Sequence, residues 1–103
     1  RGNAYAFLGQ YVQSIKDYSK TIEINPNDAL AYYNRGLAYA FLGKYFQAIK
    51  DYNKAVSFNS KFDQAYYNRA VSYLRLGQYL QVIKDCNRVI ELKPKYAEAY
   101  INR

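Results

Sequence analysis

Apolar and small residues return along the chain at a fixed interval, which is the distance from Tyr5 to Tyr39 and again from Tyr39 to Tyr73. The repeated set is Tyr5, Leu8, Gly9, Tyr11 and Ile15, then Tyr39, Leu42, Gly43, Tyr45 and Ile49, then Tyr73, Leu76, Gly77, Tyr79 and Ile83. The register has no gap. A period of roughly 34 residues predicts an array of stacked units, because one unit can bury its apolar face only against its neighbours.

Each period contains two helical segments. In residues 29–42, Tyr32, Gly36 and Tyr39 lie at spacings of four and three, which places them on one face of a first helix. Residues 45–58 carry apolar side chains at helical spacing without an internal glycine or proline, and they predict a second helix. Two helices joined by so few residues form an antiparallel hairpin.

A glycine follows each predicted first helix. Gly9, Gly43 and Gly77 occupy this place in successive units. Glycine enters the left-handed backbone conformation without the penalty that a Cβ atom imposes, so all three are predicted to end first helices.

These residues form a motif that runs from an aromatic residue at the start of the first helix to an alanine late in the second. The middle unit carries it at Tyr32, Gly36, Tyr39, Gly43, Tyr45, Ala48, Tyr52 and Ala55. The motif resembles the tetratricopeptide repeat over essentially the whole chain, with Tyr66 standing where Trp is usual and Cys86 where an aromatic residue is usual. The resemblance implies an all-α fold, a right-handed superhelical α-solenoid of antiparallel helix-turn-helix repeats.

The resemblance also divides the chain into units. Residues 1–28 form a truncated repeat, residues 29–62 and 63–96 are full repeats, and residues 97–103 begin a further first helix. Because solenoids need polar caps and both ends fall inside a unit, we expect the chain to be a fragment of a longer array.

The composition offers little to a catalytic or metal site. The 103 residues include no histidine and one cysteine, which excludes His-based triads and thiolate clusters. The glycines punctuate helices and form no phosphate-binding loop. We expect no enzyme activity, no cofactor and no metal. Cys86 aligns with Tyr52 on the inner face of a helix and is expected to be buried and inert.

Charge and hydropathy narrow the environment. No stretch approaches the roughly 20 apolar residues that span a bilayer, and the N-terminus lacks a signal-peptide pattern. A soluble chain is expected, with the cytoplasm as the default compartment. The net charge of +7 favours acidic partners without naming them.

In tetratricopeptide proteins the first helices line a concave channel, and the resemblance implies such a groove here. Its lining residues would be Asn3, Phe7, Leu30, Tyr33, Asn34, Leu37, Phe41, Gln64, Tyr67, Asn68, Val71, Arg75 and Asn102. This mixture of aromatic, aliphatic and amide side chains suits an extended or helical peptide with apolar anchors. The chain is therefore predicted to be a scaffold that binds a protein or peptide. The alternative is a structural module that stacks end to end through uncapped repeats into a homo-oligomer.

Asn34, Asn68 and Asn102 occur once per unit at the same inward position. As a ladder they could bond successive peptide groups of a bound chain, because an amide both donates and accepts. They could equally tie their own helix or the adjacent repeat together, and the two roles are compatible.

Some tetratricopeptide domains clamp the C-terminal carboxylate of chaperones with asparagines and cations. Asn3 and Asn34 match the two asparagine positions, but Gln64 and Asn68 stand where the Lys and Arg should be. Without these charge-assisted partners a carboxylate is poorly held, so chaperone-tail binding is not favoured.

Two columns of charge accompany the repeat. One consists of Asp17, Asp51 and Asp85 with Arg35, Arg69 and Arg103, each Asp standing slightly more than half a period before an Arg. We expect inter-repeat ion pairs at each junction, with pairing inside one unit as the competitor. The other column, Lys16, Lys20, Lys50, Lys54, Lys84 and Arg88, is predicted to form a solvated ridge on the convex side. The alternatives are an acidic partner, membrane head groups or, as the weakest, nucleic acid. Neither nucleic acid nor membrane binding is expected.

Overall fold

The computed structural model describes residues 2–92 and the side chains of residues 8–92. Within that range the chain is helical apart from its connections. The helices are α1 (Gly2–Ile24), α2 (Ala29–Phe41), α3 (Tyr45–Phe58), α4 (Asp63–Arg75) and α5 (Tyr79–Leu92). The all-α prediction is confirmed. The hairpin α2–α3 lies in the predicted repeat 29–62, and α4–α5 lies in 63–96, while residues 97–103 are outside the described range.

The two hairpin turns have the same geometry. Gly43 has φ of 77° and Gly77 has φ of 76°, so both adopt the left-handed conformation that glycine was predicted to supply. The amide of Lys44 donates to the carbonyl of Tyr39 at 2.9 Å, and Gln78 donates to Tyr73 at 2.9 Å. These bonds satisfy carbonyl groups at the ends of α2 and α4.

The predicted helix stop at Gly9 is wrong. α1 continues through this residue without a turn, and Gly9 is exposed inside the helix. Continuing the helix keeps its backbone hydrogen bonds, at the propensity penalty of about 1 kcal/mol for a helical glycine.

Small side chains let the helices approach closely. Ala48, Ala55 and Ala65 are fully buried, and Tyr32 packs with Ala55 and Ala65 at the junction of the two hairpins. At Gly36 the approach leaves no room for a side chain, because a Cβ atom there would lie 2.7 Å from Cε1 of Tyr52. Burial at this density is the main source of stability for a helical array.

The helices pack in chain order, and the array is curved. Within residues 2–92, Cα atoms of α2 and α4 come within 8 Å of each other, whereas no Cα atoms of α1 and α3, or of α3 and α5, come so close. Because α2 and α4 are the closer pair, they lie on the inner, concave side, and α3 and α5 lie on the convex side. This curvature gives the chain two distinct surfaces.

Candidate functional site

The concave groove, as we use the term, is the face of α2 and α4 that is turned away from α3 and α5. Four large apolar side chains are exposed on these two helices: Leu30 (58%), Phe41 (66%), Tyr67 (45%) and Leu74 (52%). The other predicted groove residues between them are Tyr33, Asn34, Leu37, Asn68 and Val71, all partly buried, with Gln64 and Arg75 exposed. Asn3, Phe7 and Asn102 lie outside the described side chains. The face is therefore apolar, with amides at intervals.

The side chain of Asn68 links the two helices that line the groove. Its Nδ2 donates to the hydroxyl of Tyr33 at 3.0 Å and to the carbonyl of Gln64 at 2.9 Å. The first bond joins α4 to α2 and the second stays within α4, which is the structural role that the sequence left open. The side-chain Oδ1 of Asn68 is an additional acceptor. Whether the asparagines also bond a ligand stays a prediction.

Tyr33 is fixed by aromatic neighbours as well as by Asn68. Its ring centroid lies 4.7 Å from that of Phe62 and 5.9 Å from that of Tyr52. Burial raises the pKa of Tyr33, the Asn68 bond partly opposes this, and the charge of Asp63 adds to it. The tyrosine therefore stays neutral, and its ring and hydroxyl both have partners at the base of the groove.

The expected inter-repeat ion pairs are wrong for the arginines that the structure describes. Arg35 donates from Nε and Nη2 to the two carboxylate oxygens of Asp51, at 2.8 and 2.7 Å. Arg69 binds Asp85 in the same way, at 2.9 and 2.6 Å. Both pairs lie within one repeat. Asp17 instead accepts a hydrogen bond from Gln13 on its own helix, at 3.0 Å.

The same arginines do reach across the repeat junction, but to neutral side chains. Nη1 of Arg35 donates to Oγ of Ser19 at 3.1 Å, and Nη1 of Arg69 donates to Oδ1 of Asn53 at 2.7 Å. Sequence reasoning missed these partners, although Ser19 and Asn53 recur in register with the repeat, each at the same distance before its arginine. Each guanidinium thus joins three helices. Arg103 lies outside the described residues.

Hydrogen bonding further stabilises the charged form of both guanidinium groups. The bonds that Arg35 donates to Asp51 raise the pKa of Arg35. Burial lowers the pKa of Arg69, but the hydrogen bond and charge of Asp85 outweigh that effect, and its pKa is also raised. Because Asp51 and Asp85 are buried, losing either arginine would leave an uncompensated carboxylate inside the array.

The basic column is exposed except at its last member. Lys16, Lys20, Lys50, Lys54 and Lys84 are exposed, as predicted for a convex ridge. Arg88 lies along the surface with its side chain 40% exposed: its guanidinium is 5.7 Å from the ring centroid of Tyr66 and donates to the carbonyl of Ser60 at 3.4 Å. The column is therefore not uniform.

Cys86 is partly buried, not fully buried as expected. It replaces the much larger Tyr52 of the preceding repeat, and a smaller side chain fills less of the same space. Burial and the charge of Asp85 raise the pKa of the thiol, which disfavours the nucleophilic thiolate. In residues 2–92 we find no group of three potential metal ligands, and no helix there is apolar over a length that would cross a bilayer.

Sequence profiles of known families match this architecture. A profile described as TPR repeat matches residues 2–43 and 41–77, and one described as tetratricopeptide repeat matches residues 64–96. The chain belongs to the tetratricopeptide repeat family. It is therefore a helical repeat domain of the protein-interaction scaffold class. A search of curated protein sequences finds no match.

Solved structures share the fold. The first TPR domain of Spaghetti (RPAP3), bound to the HSP90 peptide SRMEEVD, is 34% identical with a TM-score of 0.81, over 90% of this chain and 74% of that chain. The Arabidopsis OM64 TPR domain is 28% identical with a TM-score of 0.82, over 92% and 78%. MamA is 28% identical with a TM-score of 0.81, and the match covers 94% of this chain but 57% of MamA.

Proposed function

We propose that this scaffold holds a peptide segment in the concave groove through apolar anchors. The observation that carries the proposal is the row of exposed Leu30, Phe41, Tyr67 and Leu74 on the two inner helices. Isolated apolar residues on a surface need no explanation, but a row on one concave face is typical of a recognition surface. The partly buried amides of Asn34 and Asn68 would then orient the peptide backbone.

The ligand should differ from the acidic chaperone tail. The similar Spaghetti domains bind the HSP90 peptide SRMEEVD. In this groove Gln64 and Asn68 occupy positions where a carboxylate clamp needs cations. We therefore expect SRMEEVD to bind at least about tenfold more weakly than an apolar peptide selected from a library, which corresponds to one lost charge-assisted contact.

The test compares two phenylalanines with nearly equal exposure on different faces. Phe41 on α2 is 66% exposed in the groove, and Phe46 on α3 is 64% exposed outside it. Short peptides are selected by display against the chain, and their affinities are measured for Phe41→Ala and Phe46→Ala. We expect Phe41→Ala to weaken binding by about tenfold or more, as removal of an interface anchor does. Equal affinity of the two variants would refute the groove.

Phe41 also stacks on Tyr11, with ring centroids 4.9 Å apart. Thermal unfolding of Phe41→Ala must therefore accompany the binding assay. Leu74→Ala supplies a second groove variant on α4, without that stacking contact. If Leu74→Ala binds the selected peptides as well as the unmodified chain does, the groove assignment fails on α4 as well.

A second candidate is end-to-end association of this chain. Tyr79, Leu80 and Ile83 form an exposed apolar patch on α5, and Leu8 and Val12 are half-exposed on α1. Joining such unlike patches produces a head-to-tail assembly. Light scattering after size-exclusion chromatography at increasing concentration tests this: Leu80→Glu should abolish any oligomer, and a monomer throughout would exclude the assembly.

A further inference from the structure

A cleft of about 700 Å³ opens on the convex side of the array, away from the groove. It lies where the backbones of α1 and α3 are separated, with no Cα atoms within 8 Å of each other, and α2 lines the space between them. We call it the convex cleft. Its main lining residues are Ile22 from α1, Tyr32, Arg35 and Tyr39 from α2, and Lys50 and Lys54 from α3. A volume of this size holds a few side chains of a ligand.

The convex cleft carries positive charge. Lys50 and Lys54 line it and are exposed. Asp51 also lines it, but this carboxylate already receives two hydrogen bonds from Arg35. With its bond to Ser19, Arg35 makes three hydrogen bonds, fewer than the N–H groups of a guanidinium, so it can donate further. The cleft therefore has cationic donors without competing free carboxylates in its lining.

The rest of the lining mixes the neutral polar side chains of Gln47, Asn53 and Ser57 with apolar and aromatic ones. Ile22, Tyr32 and Tyr39 contribute side chains beside the cations. Tyr32 is largely covered by Phe58, with ring centroids 5.8 Å apart, and by Arg35. Ile22 and Tyr39 are partly exposed and leave a surface on which an aliphatic side chain can pack. Cations next to such a surface match a segment that mixes acidic and apolar residues.

We propose that the convex cleft binds an acidic peptide segment. Asp or Glu carboxylates of the peptide pair with Lys50 and Lys54 and accept from Arg35, while a neighbouring apolar side chain packs on Ile22 and Tyr39. This site is independent of the concave groove, so the domain can hold two partners on opposite faces.

The equivalent position in the next repeat shows why a peptide fits better than a nucleic acid. Arg88, which aligns with Lys54 of the preceding repeat, lies against Tyr66 and pairs with Glu91 at 3.5 Å, where the preceding repeat has Ser57. The pair of free lysines at Lys50 and Lys54 is therefore reduced to Lys84 alone in the next repeat. A nucleic-acid backbone needs cations along several phosphates, whereas a short acidic peptide needs only one cleft.

The experiment uses a fluorescein-labelled peptide that repeats Glu-Glu-Leu, with binding to the 103-residue chain followed by fluorescence anisotropy. The test variant is Lys50→Gln with Lys54→Gln. The matched control is Lys16→Gln with Lys20→Gln, which removes the same charge from equivalent exposed positions outside the cleft. We expect the test variant to bind at least about tenfold more weakly, and the control within about twofold of the unmodified chain.

Three outcomes would overturn the proposal. Equal weakening in both variants would mean that the peptide responds to net charge alone. Loss of binding in Phe41→Ala would place the acidic peptide in the concave groove. Tighter binding of single-stranded DNA, or of vesicles containing phosphatidylserine, with the same dependence on Lys50 and Lys54 would assign the cleft to another class of partner. Binding that survives Phe41→Ala supports the convex cleft even if the concave groove has no ligand.

Discussion

The two complete hairpins share one backbone plan but fill one interior position differently. In α2–α3, Gly36 faces the fully buried Tyr52, and there is no room for a Cβ atom between them. The equivalent residues in α4–α5 are Ala70 and Cys86, a larger residue on the first helix and a smaller one on the second. Cysteine is much smaller than tyrosine, so Cys86 does not impose on Ala70 the clash that the ring of Tyr52 would impose on any side chain at Gly36.

The hairpins also differ on the convex side. Lys54 lines the open convex cleft, whereas Arg88, at the equivalent position, lies against Tyr66 and donates to the carbonyl of Ser60. One longer, planar cation is sufficient for this change, because a guanidinium stacks on an aromatic ring and donates in several directions. Equal backbones therefore give unequal surfaces.

The largest effect should come from breaking the buried ion pair that both hairpins contain, Arg35–Asp51 in one and Arg69–Asp85 in the other. Asp51→Ala removes the carboxylate that holds Arg35 and should lower the free energy of unfolding by about 3 kcal/mol, because it leaves a partly buried charge unpaired. Asp85→Ala should lower it by a similar amount. Urea unfolding followed by circular dichroism measures both.

Asp17→Ala is the matched control for these two variants. Asp17 is exposed and would be the partner of Arg35 only if the pairs joined adjacent repeats. We expect its loss to change the free energy of unfolding by less than about 0.5 kcal/mol. A loss as large as that of Asp51→Ala would restore the inter-repeat pairing.

The next largest effect tests whether residues 36 and 52 compete for the same space. Gly36→Ala should lower the free energy of unfolding by about 2 kcal/mol, because its Cβ meets the ring of Tyr52. In a chain that already carries Tyr52→Cys, the same substitution should be neutral or stabilising by up to about 1 kcal/mol, since alanine favours a helix. The four chains form a double-mutant cycle. Additive effects would show that the two positions do not share one space.

The sequence predicted the fold because its strongest signals are local. Tyr and Gly at fixed helical spacings set the helices over 29–58, and Gly43 needs only its own backbone conformation to form a turn. The ion pairs were misassigned because Arg35 has one Asp about half a repeat before it, Asp17, and another about half a repeat after it, Asp51. The repeat copies both spacings, and only packing distinguishes them.

Two other features depend on contacts that a pattern does not carry. Gly9 fits the motif as well as Gly43 does, yet α1 continues through it as a helix. In the groove, spacing predicted which side chains share the inner face of α2 and α4, whereas the bond from Asn68 to Tyr33 depends on the distance between two repeats. The convex cleft was not predicted, because it depends on the separation between the backbones of α1 and α3.

The smallest expected effect is a difference between the two hairpins in how their stability depends on pH. The hydroxyl of Tyr52 is buried without a hydrogen-bond partner among residues 8–92, and burial raises its pKa, with smaller contributions from Tyr33 and Asp51. The unfolded chain loses this proton near pH 10, at about the ordinary tyrosine value, while the folded chain retains it. The contribution of Tyr52 to the free energy of unfolding is therefore fully present below about pH 10. It decreases above that pH, because the unfolded state then binds fewer protons than the folded state. Tyr33 adds to the decrease in the same direction.

Tyr52→Phe should make this alkaline decrease in melting temperature shallower. It should also leave stability at neutral pH unchanged or raise it by about 1 kcal/mol, because an unpaired buried hydroxyl is removed without changing the ring. Cys86 has a raised pKa as well, and its contribution begins at lower pH, near 8.5 to 9 for an ordinary thiol. Cys86→Ala therefore measures how much the thiol in the α4–α5 hairpin contributes to the alkaline decrease in melting temperature. Thermal melts from pH 7 to 11 measure all three chains. A Tyr52→Phe chain that melts lower at neutral pH would mean that the hydroxyl has a partner, and that the interior of α2–α3 is held by more than shape.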